Sequence, residues 1–340
     1  MRALALVVVL LPVLCGAAPR LVRVPGGVSS LVVDGQGTFA YLANDTNLEV
    51  LDLAARSAIR TYVLASANRV DAIDEERGEV LLHADQSATI LDLATGSLHE
   101  VISGFPPSDL RDATFAGGRV YLAAAAESAV LSLLPDGTGR RGIDPFPFDF
   151  EFRHASPCAL AASGDGSTLL FGTVASADLY RVVDVVRTSD DTIIGTIPVG
   201  FSACRLFFRD ATSAIAVGQP EGARSPSVAL LDLANSSVPA VIRVPRSHGF
   251  AAAAYLASRS LLFFLHSGQD FTRSSDKPPR LPAGDSVRLV AFDLTRQRVR
   301  KRWSLRRRVG VGLDLAVTPD GSTLLIASSK GVYLQPLKLR

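Results

Sequence analysis

The feature of this sequence that most constrains its fold is a repeat of about 40 residues, marked by the string Leu-Asp-Leu. Three intact and three degenerate copies occur, and they begin at Leu51, Leu91, Leu231, Leu131, Val183 and Phe292. A repeat of this length is typical of folds that use one supersecondary unit many times. We therefore interpret the chain as a closed or stacked array of similar units.

A second apolar segment recurs seven times: it precedes each of the six copies of the marker and occurs once more in the last unit, where none of these copies follows it. The seven segments cover residues 38–43, 79–84, 119–124, 167–172, 213–218, 260–265 and 322–327. Polar turns such as "GDGS" (164–167) and "PDGS" (319–322) come before them. Asp-Gly between apolar runs is a strong hairpin signal. One unit therefore predicts strand A, a tight turn, strand B, a loop, strand C, a turn and strand D.

Four short antiparallel strands per repeat are typical of a β-propeller blade. A solenoid would need a shorter repeat, and a sandwich would not repeat its sequence. The last unit, residues 313–340, has room for strands A, B and C only. The segment "LVRVPGG" (21–27) resembles the D strands at 194–200 and 241–249, so it is predicted to complete blade 7. The prediction is an all-β, WD40-like propeller of seven four-stranded antiparallel blades, closed by the N-terminal strand.

The repeats resemble the YVTN family of seven-bladed propellers, which are also called lactonase-like repeats. "VTPDGSTLLIASSKGVYLQPL" (317–337) and "AASGDGSTLLFG" (161–172) resemble that family's strand–turn–strand core, and "VALLDL" (228–233) resembles its strand C. Blades 3 and 6 depart most from the pattern. The resemblance implies the fold for the whole chain after its leader. It does not supply active residues that match positions in this chain.

The first residues have the pattern of a secretory signal peptide. Arg2 precedes an apolar segment at 3–14, and small residues follow at 16–18. We expect a signal peptide at 1–17 and a single propeller domain at 18–340. Because no later segment is long and apolar enough for a membrane helix, we expect no membrane insertion. The expected product is an exported monomer, periplasmic or extracellular, and its net charge of +2 indicates no general polyanion partner.

Three insertions are predicted on the face that carries the B–C and D–A connections. They cover residues 144–157, 218–227 and 266–286. Insertions confined to one face of a repeat array usually mark its binding face. The first contains four phenylalanines at every second position, which indicates an extended segment that either seals the ring or forms a wall of a ligand site.

Candidate ligand-binding residues follow from this placement, because they lie in the links or at the starts of the inner strands. They are Arg111, Phe150, Phe152, Arg153, His154, Arg205, Arg246 and His248. If the protein were an enzyme, the catalytic candidates would be His154, His248 and Glu151, acting on water at an ester-like carbonyl. The alternative is that these are ordinary surface side chains.

Cys158 and Cys204 occupy equivalent positions at the starts of adjacent inner strands, so they are the candidate disulfide. The alternative is a pair of buried thiols. We expect no metal and no cofactor, because no Cys-x-x-Cys, Cys-x-x-Cys-His or His-Glu-x-x-His motif occurs and there is one tryptophan.

A basic run at 296–308 is predicted on the outer edge of blade 6. It either discourages edge-to-edge aggregation or binds a polyanion such as nucleic acid. No catalytic motif was found in the sequence. We therefore expect a non-catalytic binding module or scaffold that recognises a protein, a glycan or another ligand through the inserted face, and the alternative is a lactonase-like hydrolase with its site at the channel mouth.

Overall fold

The computed structural model of the chain forms a seven-bladed β-propeller of four-stranded antiparallel blades, as the repeat predicts. It describes residues 18–44, 46–64, 69–84, 86–106, 109–125, 127–144, 156–174, 181–220, 223, 225–245, 251–266, 287–305 and 309–337. Within each blade, strands A to D are hydrogen-bonded in sequence order, with strand A innermost. The predicted fold is therefore confirmed.

Blades 1 to 3 use the strands β2 to β13. Blade 1 has β2 (Ser30–Val33), β3 (Phe39–Ala43), β4 (Asn47–Asp52) and β5 (Ser57–Val63). Blade 2 has β6 (Arg69–Asp74), β7 (Glu79–Ala84), β8 (Ser87–Asp92) and β9 (Leu98–Ile102). Blade 3 has β10 (Leu110–Ala116), β11 (Arg119–Ala124), β12 (Ala129–Leu133) and β13 (Arg141–Ile143).

Blades 4 to 6 use the strands β14 to β25. Blade 4 has β14 (Ser156–Ala162), β15 (Thr168–Val174), β16 (Val182–Arg187) and β17 (Thr192–Pro198). Blade 5 has β18 (Ser202–Phe208), β19 (Ser213–Gln219), β20 (Ser227–Asp232) and β21 (Ser237–Arg243). Blade 6 has β22 (Ala252–Leu256), β23 (Leu261–His266), β24 (Arg288–Asp293) and β25 (Arg298–Ser304), with a 3-10 turn at Ala257–Arg259.

Blade 7 is shared between the two ends of the chain. It consists of β26 (Gly312–Val317), β27 (Thr323–Ser328), β28 (Gly331–Pro336) and the N-terminal β1 (Arg20–Arg23). Strand β1 runs antiparallel to β28, and its register pairs Arg20 with Leu334 and Arg23 with Gly331. The predicted closure is confirmed, and it protects an edge that an open array would expose.

The repeated aspartates explain why the turns recur. In the A–B turns, Asp165 Oδ1 accepts from the Ser167 amide and Asp320 Oδ1 accepts from the Ser322 amide. Gly166 and Gly321 follow them with the same positive φ of 68°, which glycine adopts without strain. The aspartate of Leu-Asp-Leu ends strand C and caps the C–D turn, as Asp52 does for the Ala55 amide.

The core lies in the seams between blades, because alternate side chains of each strand face opposite neighbours. In blade 4, Leu170, Val183 and Val185 pack towards blade 5. Leu169, Phe171 and Val186 pack towards blade 3. This alternation fixes the face on which each polar side chain described below is placed.

The first two predicted insertions are shorter than expected, since strands extend into their ends, and the third is shifted by one residue at the same length. The links between the flanking strands span 144–155, 220–226 and 267–287. The B–C link of blade 4, at 175–181, is as long as the second of these, so residues 218–227 do not stand out as an insertion. No helix among the described residues is long and apolar enough to cross a membrane.

Candidate functional site

The candidate site is the end of the central channel at which the A strands begin and the B strands end. We call this end the mouth. Five of the described A strands contain a β-bulge close to it, because one residue near the start of each strand has no partner in strand B. The extra residues are Asp71, Arg111, Cys158, Cys204 and Leu313. A bulge re-aims the side chains next to it and often occurs beside a functional site.

Six ionisable side chains from four blades gather around the mouth, and we call them the mouth cluster. They are Arg69, Asp71 and His83 of blade 2, Asp112 of blade 3, Arg205 of blade 5 and Asp314 of blade 7. Asp112 lies close enough to interact electrostatically with Asp71, Arg69 and Arg205. Arg69 interacts in the same way with Asp71, Asp112 and Asp314. Both signs of charge are therefore presented at one end of the channel.

The shortest contact in the mouth cluster joins Asp71 to His83. His83 Nδ1 lies 2.5 Å from Asp71 Oδ2, and the two side chains are 5% and 1% exposed. When the ring is neutral, Nδ1 donates to the carboxylate, so Nε2 is left as the proton acceptor. Nε2 has no hydrogen-bond partner in the described part of the chain. This is the arrangement in which a carboxylate orients a histidine for proton transfer.

Asp112 and Asp314 link the inner strands of neighbouring blades. Asp112 Oδ2 accepts from the Leu160 amide of blade 4 at 2.8 Å. Asp314 Oδ2 accepts from the Leu31 amide of blade 1 at 3.1 Å. The second oxygen of each carboxylate accepts from the amide of the next residue. These two carboxylates therefore stabilise the ring as well as contributing charge to the mouth.

Burial and like charge both act on the carboxyl of Asp112. Burial raises its pKa, the neighbouring Asp71 raises it further, and Arg205, Arg69 and the Leu160 amide oppose that change with a smaller effect. The pKa of Arg69 is raised even though burial lowers it, because Asp71, Asp314 and Asp112 favour its charged form. Arg69 Nε lies 3.9 Å from Asp71 Oδ1 and is buried without a hydrogen-bond partner among the described residues.

Cys158 and Cys204 lie beside this cluster as two partly exposed free thiols. Cys158 Sγ is 3.0 Å from the carbonyl oxygen of Ala203, the residue before Cys204, and 3.5 Å from that of Gly172. The hydrogen bond from Cys158 lowers the pKa of Cys204 to about 7, burial opposes this, and the charge of Arg205 lowers it further. The hydrogen bond and burial raise the pKa of Cys158.

The sequence-predicted candidates divide into two groups. Arg205 lies in the mouth cluster, and Arg111 is exposed at the bulge of β10. Six others lie outside the described residues, namely Phe150, Phe152, Arg153, His154, Arg246 and His248, and so does the catalytic candidate Glu151. The structure therefore does not test whether these seven side chains meet.

Sequence reasoning missed most of the mouth cluster, namely Arg69, Asp71, His83, Asp112 and Asp314. A usable signal exists, since the A strands of blades 2, 3 and 7 carry Asp in "VDAI" (70–73), "RDAT" (111–114) and "LDLA" (313–316). An alignment of the A strands would have shown this recurrent carboxylate. Among the described residues no group of three or more His, Cys, Asp or Glu has the geometry of a metal site.

Two features lie away from the mouth. A groove of about 810 Å³ lies at the outer rim of blade 7, beside the 329–330 turn of the same face. It is lined by Pro19, Leu21, Arg23, Val24, Pro25, Lys330 and Tyr333. Residues 298–304 of the predicted basic run form β25, the outer strand of blade 6, where Lys301 Nζ is 5.0 Å from the ring centre of Trp303, and residues 306–308 lie outside the described part of the chain.

No protein-family model and no curated protein matches this sequence. Solved structures do resemble its fold. The β-propeller domain of Cps50 (Swd1) from Myceliophteria thermophila aligns with a TM-score of 0.73 over 94% of this chain and 100% of that one, at 12% identity. Kuenenia stuttgartiensis hydrazine synthase aligns with a TM-score of 0.51 over 90% of this chain and 75% of that one, at 14% identity. At these identities the likeness shows a shared propeller fold and no shared activity.

Proposed function

We propose that this chain is an exported, non-catalytic binding scaffold built from YVTN-type repeats, and that it recognises a protein or glycan through the face that carries the mouth. Residues 1–17 act as its export signal in this proposal. The observation that carries it is the mouth cluster, in which side chains of both charges converge at one end of the channel. Convergent polar groups in a concavity are the usual mark of a binding site.

Two further features support the same face. The longest links between strands, at 144–155 and 267–287, connect on it, and loops on a rigid scaffold commonly carry recognition. The rim groove of blade 7 extends the available surface with apolar side chains such as Leu21 and Tyr333. A partner that contacts both regions would combine charged contacts at the centre with apolar contacts at the rim.

The test compares matched variants of the two faces. Arg69→Ala/Arg205→Ala changes the mouth, whereas Arg209→Ala changes an exposed arginine beside the A–B turn of blade 5 on the opposite face. Immobilised wild type and variants are exposed to the proteins of the exported fraction and to a glycan array. We expect one specific partner that wild type and Arg209→Ala retain and that the mouth variant loses. Equal retention by all three would refute the mouth as the recognition site.

A hydrolase is the second candidate, and the Asp71–His83 pair is the observation that favours it. Asp71 would hold the ring through Nδ1, and Nε2 would take a proton from a water that attacks an ester or lactone carbonyl. The wild type and His83→Ala are assayed with simple lactones and aryl esters. Turnover by the wild type that His83→Ala abolishes would establish this candidate, and no turnover by the wild type would eliminate it.

A further inference from the structure

Two thiols meet at the seam between blades 4 and 5. Cys158 is on the inner strand of blade 4, and Cys204 is on the inner strand of blade 5. The sulfur of Cys158 is 3.0 Å from the carbonyl oxygen of Ala203, the residue before Cys204, so the two cysteines lie side by side across the seam. It is also 3.5 Å from the carbonyl oxygen of Gly172, and its single S–H proton is donated to one of these acceptors at a time. Neither thiol takes part in the binding or hydrolysis proposed above.

Close backbone packing explains why the two sulfurs meet here. A Cβ added to Gly172 would lie 2.7 Å from the oxygen and 2.8 Å from the Cβ of Ala203, so only glycine allows this approach of β15 to β18. Both cysteines are also bulge residues without a partner in strand B. A bulge residue can shift without breaking a paired position, so the two sulfurs can approach to the bond length of about 2 Å.

Access and charge favour reaction at Cys204. Both cysteines are partly exposed at the mouth, so a small reagent can reach them. The hydrogen bond from Cys158 lowers the pKa of the Cys204 thiol most, burial raises it, and the positive charge of Arg205, the next residue, lowers it further. The pKa of Cys158, in contrast, is raised by that hydrogen bond and by burial, so this thiol keeps its proton. A thiolate beside a cation is the usual form of a reactive cysteine.

We propose that Cys158 and Cys204 form a thiol–disulfide exchange site that takes low-molecular-weight disulfides as its oxidant and closes an inter-blade disulfide. The Cys204 thiolate attacks one sulfur of the external disulfide, whose S–S bond breaks and releases one thiolate. Cys158 then loses its proton and attacks the Cys204 sulfur of the mixed disulfide, which releases the second thiolate. Two protein thiols are oxidised, the external disulfide is reduced to two thiols, and the two released thiolates take up the protons.

The bond has a mechanical and an electrostatic consequence. It adds a covalent link between two blades that otherwise meet at this height through packing and the hydrogen bond from Cys158 to the Ala203 carbonyl, and the closed loop spans residues 158–204. Oxidation also removes the ionisable Cys204 thiol from beside Arg205. We therefore expect the oxidised protein to unfold at a temperature roughly 5 °C above that of the reduced protein.

The test uses the mass of the intact protein to determine which cysteine attacks the external disulfide first. Every protein in the test is the full chain with Cys15→Ser, including the one called wild type, so that only Cys158 and Cys204 can react. Wild type, Cys158→Ser and Cys204→Ser, with Cys204→Ala as a second variant, are reduced and then exposed to oxidised glutathione at pH 7.5. Samples are quenched in acid, alkylated and weighed intact at successive times, and circular dichroism verifies that each variant is folded.

We expect the wild type to lose two hydrogens without a lasting adduct. Cys158→Ser should accumulate one glutathione adduct at Cys204, and both Cys204 variants should react at least tenfold more slowly than Cys158→Ser. Two independent adducts on the wild type would overturn the proposal, and so would equal rates in the variants or a wild type that stays reduced. These outcomes do not depend on whether a partner binds the mouth.

Discussion

The two seams that flank blade 4 have similar apolar cores and different polar components. On the blade 3 side, Tyr121 and Phe171 pack in a buried cluster. Two carboxylates accept hydrogen bonds across this seam, Asp191 from the Tyr121 hydroxyl and Asp112 from the Leu160 amide. On the blade 5 side, Val183, Val185 and Ile197 pack against Phe201, and the polar components near the mouth are two thiols. The same blade is therefore joined to one neighbour through carboxylates that accept hydrogen bonds, and to the other by close packing and one thiol hydrogen bond, from Cys158 to Ala203.

This difference shows how one repeat supports two kinds of chemistry. Carboxylates such as Asp112 bond to the backbone of the next blade and fix its position. At the equivalent height of the next seam, Gly172 has no side chain between the strands, and the Cys158 thiol reaches the backbone of blade 5 beside Cys204. Three substitutions sharpen the comparison, and they are given below from the largest expected effect to the smallest.

The largest effect is expected at Asp184, which faces blade 3 beside Phe171 and is 1% exposed. Its Oδ1 accepts from Thr196 Oγ1, and its Oδ2 is buried without a partner. Burial raises its pKa to about 7, and the hydrogen bond from Thr196 opposes this. The folded protein therefore holds this proton after the unfolded chain has lost it.

The free energy of unfolding should fall by about 4 kcal/mol as the pH rises from 4 to 7, because the folded-state pKa lies above the unfolded one. Asp184→Asn should remove this loss and leave the variant the more stable protein at pH 8. Urea unfolding at a series of pH values measures both curves. An unchanged slope in the variant would show that Asp184 is ionised in the folded protein.

On the blade 5 side, Gly172→Ala should lower the free energy of unfolding by about 2 kcal/mol, because the added methyl group overlaps Ala203. Gly164→Ala in the A–B turn of the same blade is the matched control, since nothing lies within 4 Å of its added Cβ. Thermal and urea unfolding measure both variants. Equal stability of the two would mean that close packing does not hold this seam.

The smallest effect is expected for a single hydrogen bond across the blade 3 seam. The Tyr121 hydroxyl donates to Asp191 Oδ1 at 2.8 Å, and Arg141 pairs with the other oxygen at 3.2 Å. Tyr121→Phe should cost about 1 kcal/mol. Tyr255→Phe is the control, because its hydroxyl makes no hydrogen bond in the described part of the chain. A cost at Tyr255 as large as at Tyr121 would contradict this interpretation.

Much of the fold was predictable because its signals are local. Strands β7 (Glu79–Ala84) and β11 (Arg119–Ala124) have the bounds that the apolar pattern predicts. The A–B turns were also predictable, since the dipeptide Asp-Gly at 165–166 and 320–321 by itself indicates a tight turn. Blade closure was predictable for the same reason, because strand β1 resembles the other outer strands.

The site was less predictable because its contacts depend on bulges and on distant positions. Asp71 meets His83 across a one-residue shift in register, which no periodicity reveals. Asp112 and Asp314 come together with Arg69 only because the ring brings separate blades to one axis. The cysteine pair was placed correctly, and its disulfide remains a prediction. The predicted loop residues His154 and His248 lie outside the described part of the chain.

The closure of blade 7 also has a consequence for folding. Strand β1 pairs with β28 across more than 300 residues of sequence. Such non-local pairing is intrinsically slow, because the entropy of loop closure is lost before the contact forms. The first strand of the propeller has no partner until the last one has been synthesised. Six blades can begin to form in sequence, while the seventh, and with it the ring, forms only at the end.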